Sequence, residues 1–487
     1  MKQSFCLTTD SLFIPVYLGN EERLISFYCE GTKIFEFKIP MGESGCSYIA
    51  SVEADSFAGK TVTVCGEFSA DFFETMTSAK EEKVPTESHP LIHFTAKYGW
   101  INDPNGLVFD GEHYHLYFQH NPFNISWENM SWGHAISKDL LHWKQKKDVL
   151  FPDEHGTIFS GCGLKVGGEL WFPYTVAGTS SLWSEGKPFY QGLAISTDGG
   201  ETLKKQKEPF LGVVGKDSRD PKIFWHDATK AYIMVLYLEK NDFGIFRSKD
   251  LKDWEQTDRF TIEKAWECPD LLCVPGPDGE KWMFWSSDGF YYWGEFDGYT
   301  FSSDFKRHEA YAGGLLYATQ TFSGVEGRII AIPWLRFKER NGICYQGAMG
   351  IPREYSYEKY EGDYRLIQKP VREFTSALMS ADHFEEGTAS VVKIDRNGAD
   401  RCRMTCNESE VEIDYQNRTI TVDGACNRYP CEIDEIELIL DHNILEISVS
   451  DAIISVYKTR GSMKNGDIKG CGGKERTDCH YSIKSIK

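Results

Sequence analysis

The sequence predicts an all-β chain of three units in series: a small N-terminal β accessory domain, a five-bladed β-propeller and a C-terminal β-sandwich. Three observations predict it. Apolar runs of strand length recur from end to end, and no long helical period interrupts them. A short polar segment recurs at regular spacing through the middle of the chain. After Pro370 the pattern changes to alternating strands separated by short turns, as in a sandwich.

Residues 1–85 form the first unit. Phe13–Leu18, Leu24–Tyr28, Ile34–Ile39 and Thr61–Cys65 read as strands of a small antiparallel unit, and the charged stretch Lys80–Pro85 reads as a linker. Nothing here concentrates catalytic residue types, so packing or carbohydrate contact is the expected role. Residues 86–370 form the second unit. Ser137-Lys138-Asp139-Leu140-Leu141-His142-Trp143 returns as Ser248-Lys249-Asp250-Leu251-Lys252-Asp253-Trp254, and the weaker Ser196-Thr197-Asp198-Gly199-Gly200 lies between them. The period is about 55 residues, which gives about five blades. Residues 371–487 form the third, with strands at Glu410–Tyr415, Thr419–Val422, Ile436–Leu440 and Leu445–Val449. The stretch Gly461–Cys479 is rich in Gly, Lys and Asp and reads as a loose tail.

Composition narrows the partners. A net charge of −20 argues against nucleic acid or an anionic membrane, because a phosphate surface would repel the chain. An aromatic content of 14% supplies rings for a polar pocket as well as a core. The N-terminus carries no basic stretch followed by an apolar one, and no run is long enough to span a bilayer, so a cytoplasmic protein is expected. The 14 scattered cysteines, Cys471 and Cys479 among them, then read as reduced thiols. Cys402, Cys406, Cys426 and Cys431 lack the spacing of a zinc ribbon or finger, so no metal site is expected.

Three carboxylates stand in unusual surroundings within the second unit. Asp103 lies in Trp100-Ile101-Asn102-Asp103-Pro104-Asn105-Gly106, where Pro, Gly and two Asn side chains predict a tight turn at the mouth of a sheet. Asp220 follows Arg219 and precedes Pro221, and Glu267 lies between Trp266 and Cys268-Pro269. Equivalent strand starts of different blades converge on a propeller's central channel, so the three acids can meet there. Carboxylates in unequal environments are the apparatus of glycosidic bond cleavage: one attacks, another delivers a proton. Asp103, among donors, suits the nucleophile. Glu267, beside an indole and a proline, suits the acid. Asp220, beside a guanidinium that would hold it charged, suits the binding of sugar hydroxyls.

With these residues in view, the chain resembles glycoside hydrolase family 32, the invertase, levanase and inulinase family. Residues 100–106, Arg219-Asp220-Pro221 and Trp266-Glu267-Cys268-Pro269-Asp270-Leu271 match its three signature blocks in order. Residues 117–122, 127–134, 159–161, 317–322 and 351–354 resemble it too, as does Asp441–Ile447 in the C-terminal unit, so the likeness runs over roughly residues 89–460. It implies a five-bladed propeller followed by a sandwich, and a retaining mechanism without metal or organic cofactor. It implies Asp103 as nucleophile, Glu267 as general acid/base and Asp220 as transition-state stabiliser with Arg219 beside it. It implies Asn102, Gln119, Trp127, Ser160 and Cys268 as shapers of the fructose pocket, with Trp334 as a weaker match.

The resemblance therefore implies an exo-β-fructofuranosidase that hydrolyses terminal β-fructofuranosyl residues of sucrose and short fructo-oligosaccharides. Action on longer levan or inulin, sucrose 6-phosphate hydrolysis and transfructosylation stay open, as does homo-oligomer formation. A non-catalytic carbohydrate-binding propeller is the remoter alternative, and the complete acid set speaks against it. Glu128 stands where many relatives carry Gly, Cys162 where Ser is usual, and Tyr311-Ala312-Gly313-Gly314 lacks an acidic residue expected there. The N-terminal 85 residues are also extra relative to the shortest members. These departures place substrate preference, and not the chemistry, in question.

Overall fold

The computed structural model describes every residue except 180–182, 381–386, 397, 434, 462–467, 470–479 and 487, so most of the predicted loose tail, with Cys471 and Cys479, lies outside the described residues. The chain is mostly strand, 53% against 5% helix. Among the described residues no helix is long and apolar enough to cross a membrane.

The N-terminal strands form a four-stranded antiparallel sheet in the order Lys2–Cys6, Thr61–Cys65, Glu22–Cys29, Thr32–Pro40, with a separate pair, Ser11–Val16 and Tyr48–Glu53. Two helices depart from the all-β expectation, the six-residue Arg372–Ala377 after the fifth sheet and a longer one in this unit. Ala70–Ser78 is a helix whose first turn is capped by Ser69, the hydroxyl accepting from Phe72 N–H at 3.1 Å. It buries Phe72 and Met76, four residues apart, on one face. The core of this unit does not stop at its own strands: Phe37 packs on Phe123 at 4.5 Å between ring centroids, and Phe35 on Phe151 at 5.9 Å.

Five antiparallel sheets then follow in chain order, each a meander of short strands. Their first strands are Gly99–Phe109, Thr157–Gly161, Arg219–His226, Asp270–Gly276 and Leu316–Thr321. The predicted repeat has a structural meaning. Ser137, Ser196 and Ser248 each end the third long strand of the first, second and third sheets. Each hydroxyl donates to the Asp two residues on, at 3.0, 2.7 and 3.0 Å respectively, closing the same turn. Leu140 and Leu251 share the left-handed conformation there, with φ of 65° and 61°. The fifth sheet returns to the first through Tyr345–Gln346, which pairs in parallel with Gly99–Trp100.

After Pro370, a six-stranded and a five-stranded sheet enclose a shared core that includes Ile394, Cys406, Ile413, Leu438 and Ile447. They are tied to the preceding sheets by Asp441 and Glu446, which reach back to His93.

Candidate active site

The stretch Asn102–Gly106 is not the tight turn expected from its composition. It lies inside the eleven-residue strand Gly99–Phe109. Ile101 pairs with His120 and Pro104 with Phe118, so Asn102 and Asp103 together oppose the single residue Gln119. This is a β-bulge, and bulges draw on the same Pro, Gly and Asn chemistry as turns. The device recurs. Phe159-Ser160 oppose Thr175 in the second sheet, Asp220-Pro221 oppose Leu236 in the third, and Ala318-Thr319 oppose Pro333 in the fifth. In the fourth sheet, which has no such bulge, Glu267 and Cys268 stand one residue, Pro269, before the first strand. Each extra residue re-aims the strand start, so five sheets deliver Asp103, Ser160, Asp220, Glu267 and Tyr317 to one cluster.

The contacts are specific. Asp103 accepts from Ser160 Oγ at 2.6 Å and from Asn102 Nδ2 at 3.1 Å, and Trp100 Nε1 orients Asn102 by donating to its Oδ1 at 2.9 Å. Asp220 Oδ2 accepts from the Cys268 N–H at 3.0 Å, while its own N–H donates to Thr175 Oγ1 at 3.0 Å. Cys268 Sγ lies 3.6 Å from Asp103 Oδ2 and 3.6 Å from Asp220 Oδ2, a single thiol spanning two carboxylates. Glu267 accepts from Arg219 Nη2 at 2.8 Å through Oε1 and from the Tyr317 hydroxyl at 2.9 Å through Oε2. Trp266 Nε1 donates to that same hydroxyl at 2.8 Å.

Arg219 faces two acids, one more than its sequence position suggests: its Nε is 3.9 Å from Asp220, while its terminal nitrogen bonds Glu267 and its guanidinium stacks on Tyr237 at 4.4 Å. Burial, opposed by Arg219 and reinforced by the charges of Glu267 and Asp103, raises the Asp220 carboxyl to about 7. Burial also raises Asp103, partly offset by the Ser160 and Asn102 hydrogen bonds. The backbone is strained at the same place: Asp220, Glu267 and Cys268 hold φ of 63°, 52° and 45°, a region costing side-chain-bearing residues about 1 kcal/mol or more each.

The remaining sequence-predicted residues surround this cluster. Gln119 is buried opposite the Asp103 bulge, and neither its amide nitrogen nor its oxygen has a partner among the described residues, the mark of a group that meets ligand or water. Trp127 is 43% exposed and packs edge-on against Phe159, the residue before Ser160, at 6.0 Å. Trp334 is buried edge-on to Trp100 at 5.8 Å and to Tyr317 at 6.2 Å. All ten predicted residues thus belong to one neighbourhood, seven of them through direct polar contacts.

Comparison with known proteins identifies the family. Residues 93–370 match the model of the glycosyl hydrolases family 32 N-terminal domain. The chain belongs to glycoside hydrolase family 32. Similar proteins include a levanase of Bacillus subtilis, 32% identical over 369 residues (68% of this chain and 53% of that one), and an invertase of Debaryomyces hansenii, 34% identical over 312 residues (55% and 57%). The chain therefore spans about half the length of these two relatives. Among solved structures, an exo-inulinase of Aspergillus awamori covers 82% of this chain and 98% of its own with a TM-score of 0.67 at 22% identity. A family 32 glycoside hydrolase of Bifidobacterium adolescentis covers 100% and 99% with a TM-score of 0.67 at 19% identity. The last two show a shared fold.

The sequence reading of this family 32 chain left two contributors unassigned. Tyr317 was visible within the Tyr-Ala-Thr-Gln-Thr block, and its place against Glu267 depends on the bulge that follows it. Thr175 carried no signal. It sits mid-strand, and only the pairing of the second sheet sets it beneath Asp220.

Proposed function

We propose that this family 32 member is a retaining, exo-acting β-fructofuranosidase that hydrolyses terminal fructosyl units of sucrose and short fructo-oligosaccharides. In this reading the five consecutive sheets are the blades of a propeller over residues 86–370, followed by a sandwich over 371–487, with residues 1–85 as an accessory unit. The observation that carries the activity is the cluster itself: Asp103 and Asp220 bridged by one thiol, with Glu267 held separately by Arg219 and Tyr317.

The chemistry follows from those positions. Ser160 and Asn102 hold the Asp103 carboxylate in a fixed orientation for attack on the fructosyl anomeric carbon. As the carbon–oxygen bond to the leaving sugar breaks, Glu267 gives its proton to the departing oxygen, and an ester forms between Asp103 and the fructosyl unit. Glu267, now a carboxylate, takes a proton from water while the water oxygen bonds to the anomeric carbon and Asp103 is released. Asp220, buried beside both, accepts hydrogen bonds from ring hydroxyls. The Gln119 amide, which has no protein partner among the described residues, offers a donor and an acceptor to the same sugar.

A fructose-release assay across sucrose, kestose, inulin and levan tests the reading. The expected order of kcat/KM places the two short sugars first, and Glu267→Gln is expected to lower release by roughly a hundred- to ten-thousandfold in a folded protein. Undiminished release by that variant would sink the assignment of Glu267. A preference for levan would move the substrate to the long fructans.

A further inference from the structure

The loop between Asn121 and Ser131 carries Trp127 and is pinned at both ends to the N-terminal unit. At its start, Phe123 packs on Phe37 at 4.5 Å, and Asn124 Nδ2 donates to Glu22 at 2.6 Å. At its end, the Asn129 side chain takes both main-chain groups of Lys38, accepting its N–H and donating to its carbonyl at 2.9 Å each, as a neighbouring strand would. The same amide donates to Asn121 at 3.0 Å, and Asn129 holds a left-handed φ of 48° to do so. Between these anchors Lys38 Nζ pairs with Glu128 Oε2 at 2.9 Å. The strand Thr32–Pro40 also reaches a second loop, where the Lys33 ammonium lies 5.2 Å from the centre of the Trp183 ring. Both loops lead to one place: Trp127 and Phe189 each pack edge-on against Phe159, at 6.0 and 5.8 Å, and Phe159 precedes Ser160, which binds Asp103.

We propose that the N-terminal β unit is a working part of the leaving-group side of the pocket, with Lys38 and Asn129 as positioning residues that aim the Trp127 face at the sugar beyond the fructosyl unit. This rests on the fructosidase reading above. Trp127 is 43% exposed although its loop is fixed on both sides, so a large apolar face is kept in the open at low conformational cost. Lys33 and Lys38 are neutralised by Glu36 and Glu128, so this wall suits an uncharged sugar ring stacking on aromatic faces and not a phosphorylated one. Glu128, where many relatives carry Gly, is then the residue that couples loop and accessory unit in this chain.

Steady-state kinetics of the full chain on sucrose and on kestose, with thermal melting as control, test this. Lys38→Ala and Asn129→Ala are expected to raise KM for kestose and for sucrose by about tenfold, since each carries a sugar directly beyond the cleaved fructosyl unit, with kcat within about twofold. The charge swap Lys38→Glu with Glu128→Lys is expected to bring KM for kestose back towards the wild type, which covers the case in which Asn129→Ala fails to fold. Unchanged KM values in Lys38→Ala would overturn the inference. So would a loss on both sugars that follows the melting temperature and is not rescued by the swap. A wild-type chain that releases no fructose from either sugar overturns the fructosidase reading and this inference together. An active wild type with unmoved KM values overturns this inference alone.

Discussion

Two charge clusters in this molecule, one partly open and one buried, use the same residue types to opposite effect. In the candidate active-site cluster, Arg219 is the cation that Asp220 and Glu267 share among the described residues, and Asp103 pairs with none there. In the clamp that joins the sheets to the C-terminal unit, Asp441 and Glu446 face two, His93 and Arg353. Asp441 also accepts the backbone N–H groups of Leu91, Ile92 and His93 at 2.7, 2.9 and 2.9 Å. The consequences run in opposite directions. Although burial opposes ionisation of the clamp, Arg353 and His93 bring Glu446 down to about 2, and Asp441 is lowered as well. Burial likewise opposes the His93 charge, but the two carboxylates hold it at about 9. In the active site burial wins, and Asp220 rises to about 7. A carboxylate with every lone pair satisfied holds a fold together. One left short of partners is costly to the fold and available to a substrate.

Several substitutions would break or sharpen that contrast. The largest effect is expected from Asp103→Asn, which keeps the size of the side chain and removes the proposed nucleophile: fructose release should fall by about ten-thousandfold while the melting temperature holds or rises. A parallel fall in both would make the site a structural cluster like the clamp. Glu446→Gln should do the reverse. It leaves Arg353 buried against a neutral partner, with His93 still paired to Asp441, and should cost about 3–5 kcal/mol in denaturant unfolding, with the kcat of the remaining folded protein unchanged.

pH separates the clusters further. Asp220 binds its proton more tightly folded than unfolded, so its contribution makes stability fall as pH rises from about 4 to about 7. Asp220→Asn should therefore gain on the order of a few kcal/mol over the wild type at pH 8, and the gain should vanish near pH 4. His93, also raised in the folded state, gives a slope of the same sign in a higher pH window, and Glu446 gives the opposite sign. The His93 stabilisation is complete below its ordinary value of 6.5 and is lost as pH rises through about 9. Glu446 contributes fully above 4.5 and loses its share as pH falls through about 2. Urea titrations of His93→Gln should lack the alkaline slope of the wild type between those two His93 values. The smallest effect is expected from Tyr317→Phe, which removes one of two hydrogen bonds to Glu267. It should lower kcat by about tenfold, with little change in stability.

The two clusters also differ in how far the sequence discloses them. The three acids of the site stand beside prolines within short, unusual motifs, and local composition marks them. The Ser-x-Asp repeat likewise marks the equivalent turn in three sheets, because its hydrogen bond is local. The bulge at Asn102-Asp103 reads as a turn because Pro, Asn and Gly serve both, and only pairing with Gln119 distinguishes them. In the clamp, the strand carrying Asp441 and Glu446 is legible, but its partner His93 is about 350 residues away and sits in an undistinguished stretch. The helix Ala70–Ser78 is missed because two buried residues on nine make a faint period. The Arg219–Glu267 pair shows the general limit: adjacency suggests the ion pair with Asp220, and the packing of neighbouring sheets adds Glu267.

The central claim is that Asp103 carries the fructosyl unit during turnover. Mixing Glu267→Gln with excess β-fructofuranosyl fluoride, whose leaving group needs no proton, is expected to form an ester on Asp103 faster than it is released, because no carboxylate remains to activate water. Acid quench followed by peptide mass analysis is expected to find one fructosyl unit on the peptide containing Asp103. A fructosyl unit on a different residue, or steady fructose release with none on any peptide, would contradict the account.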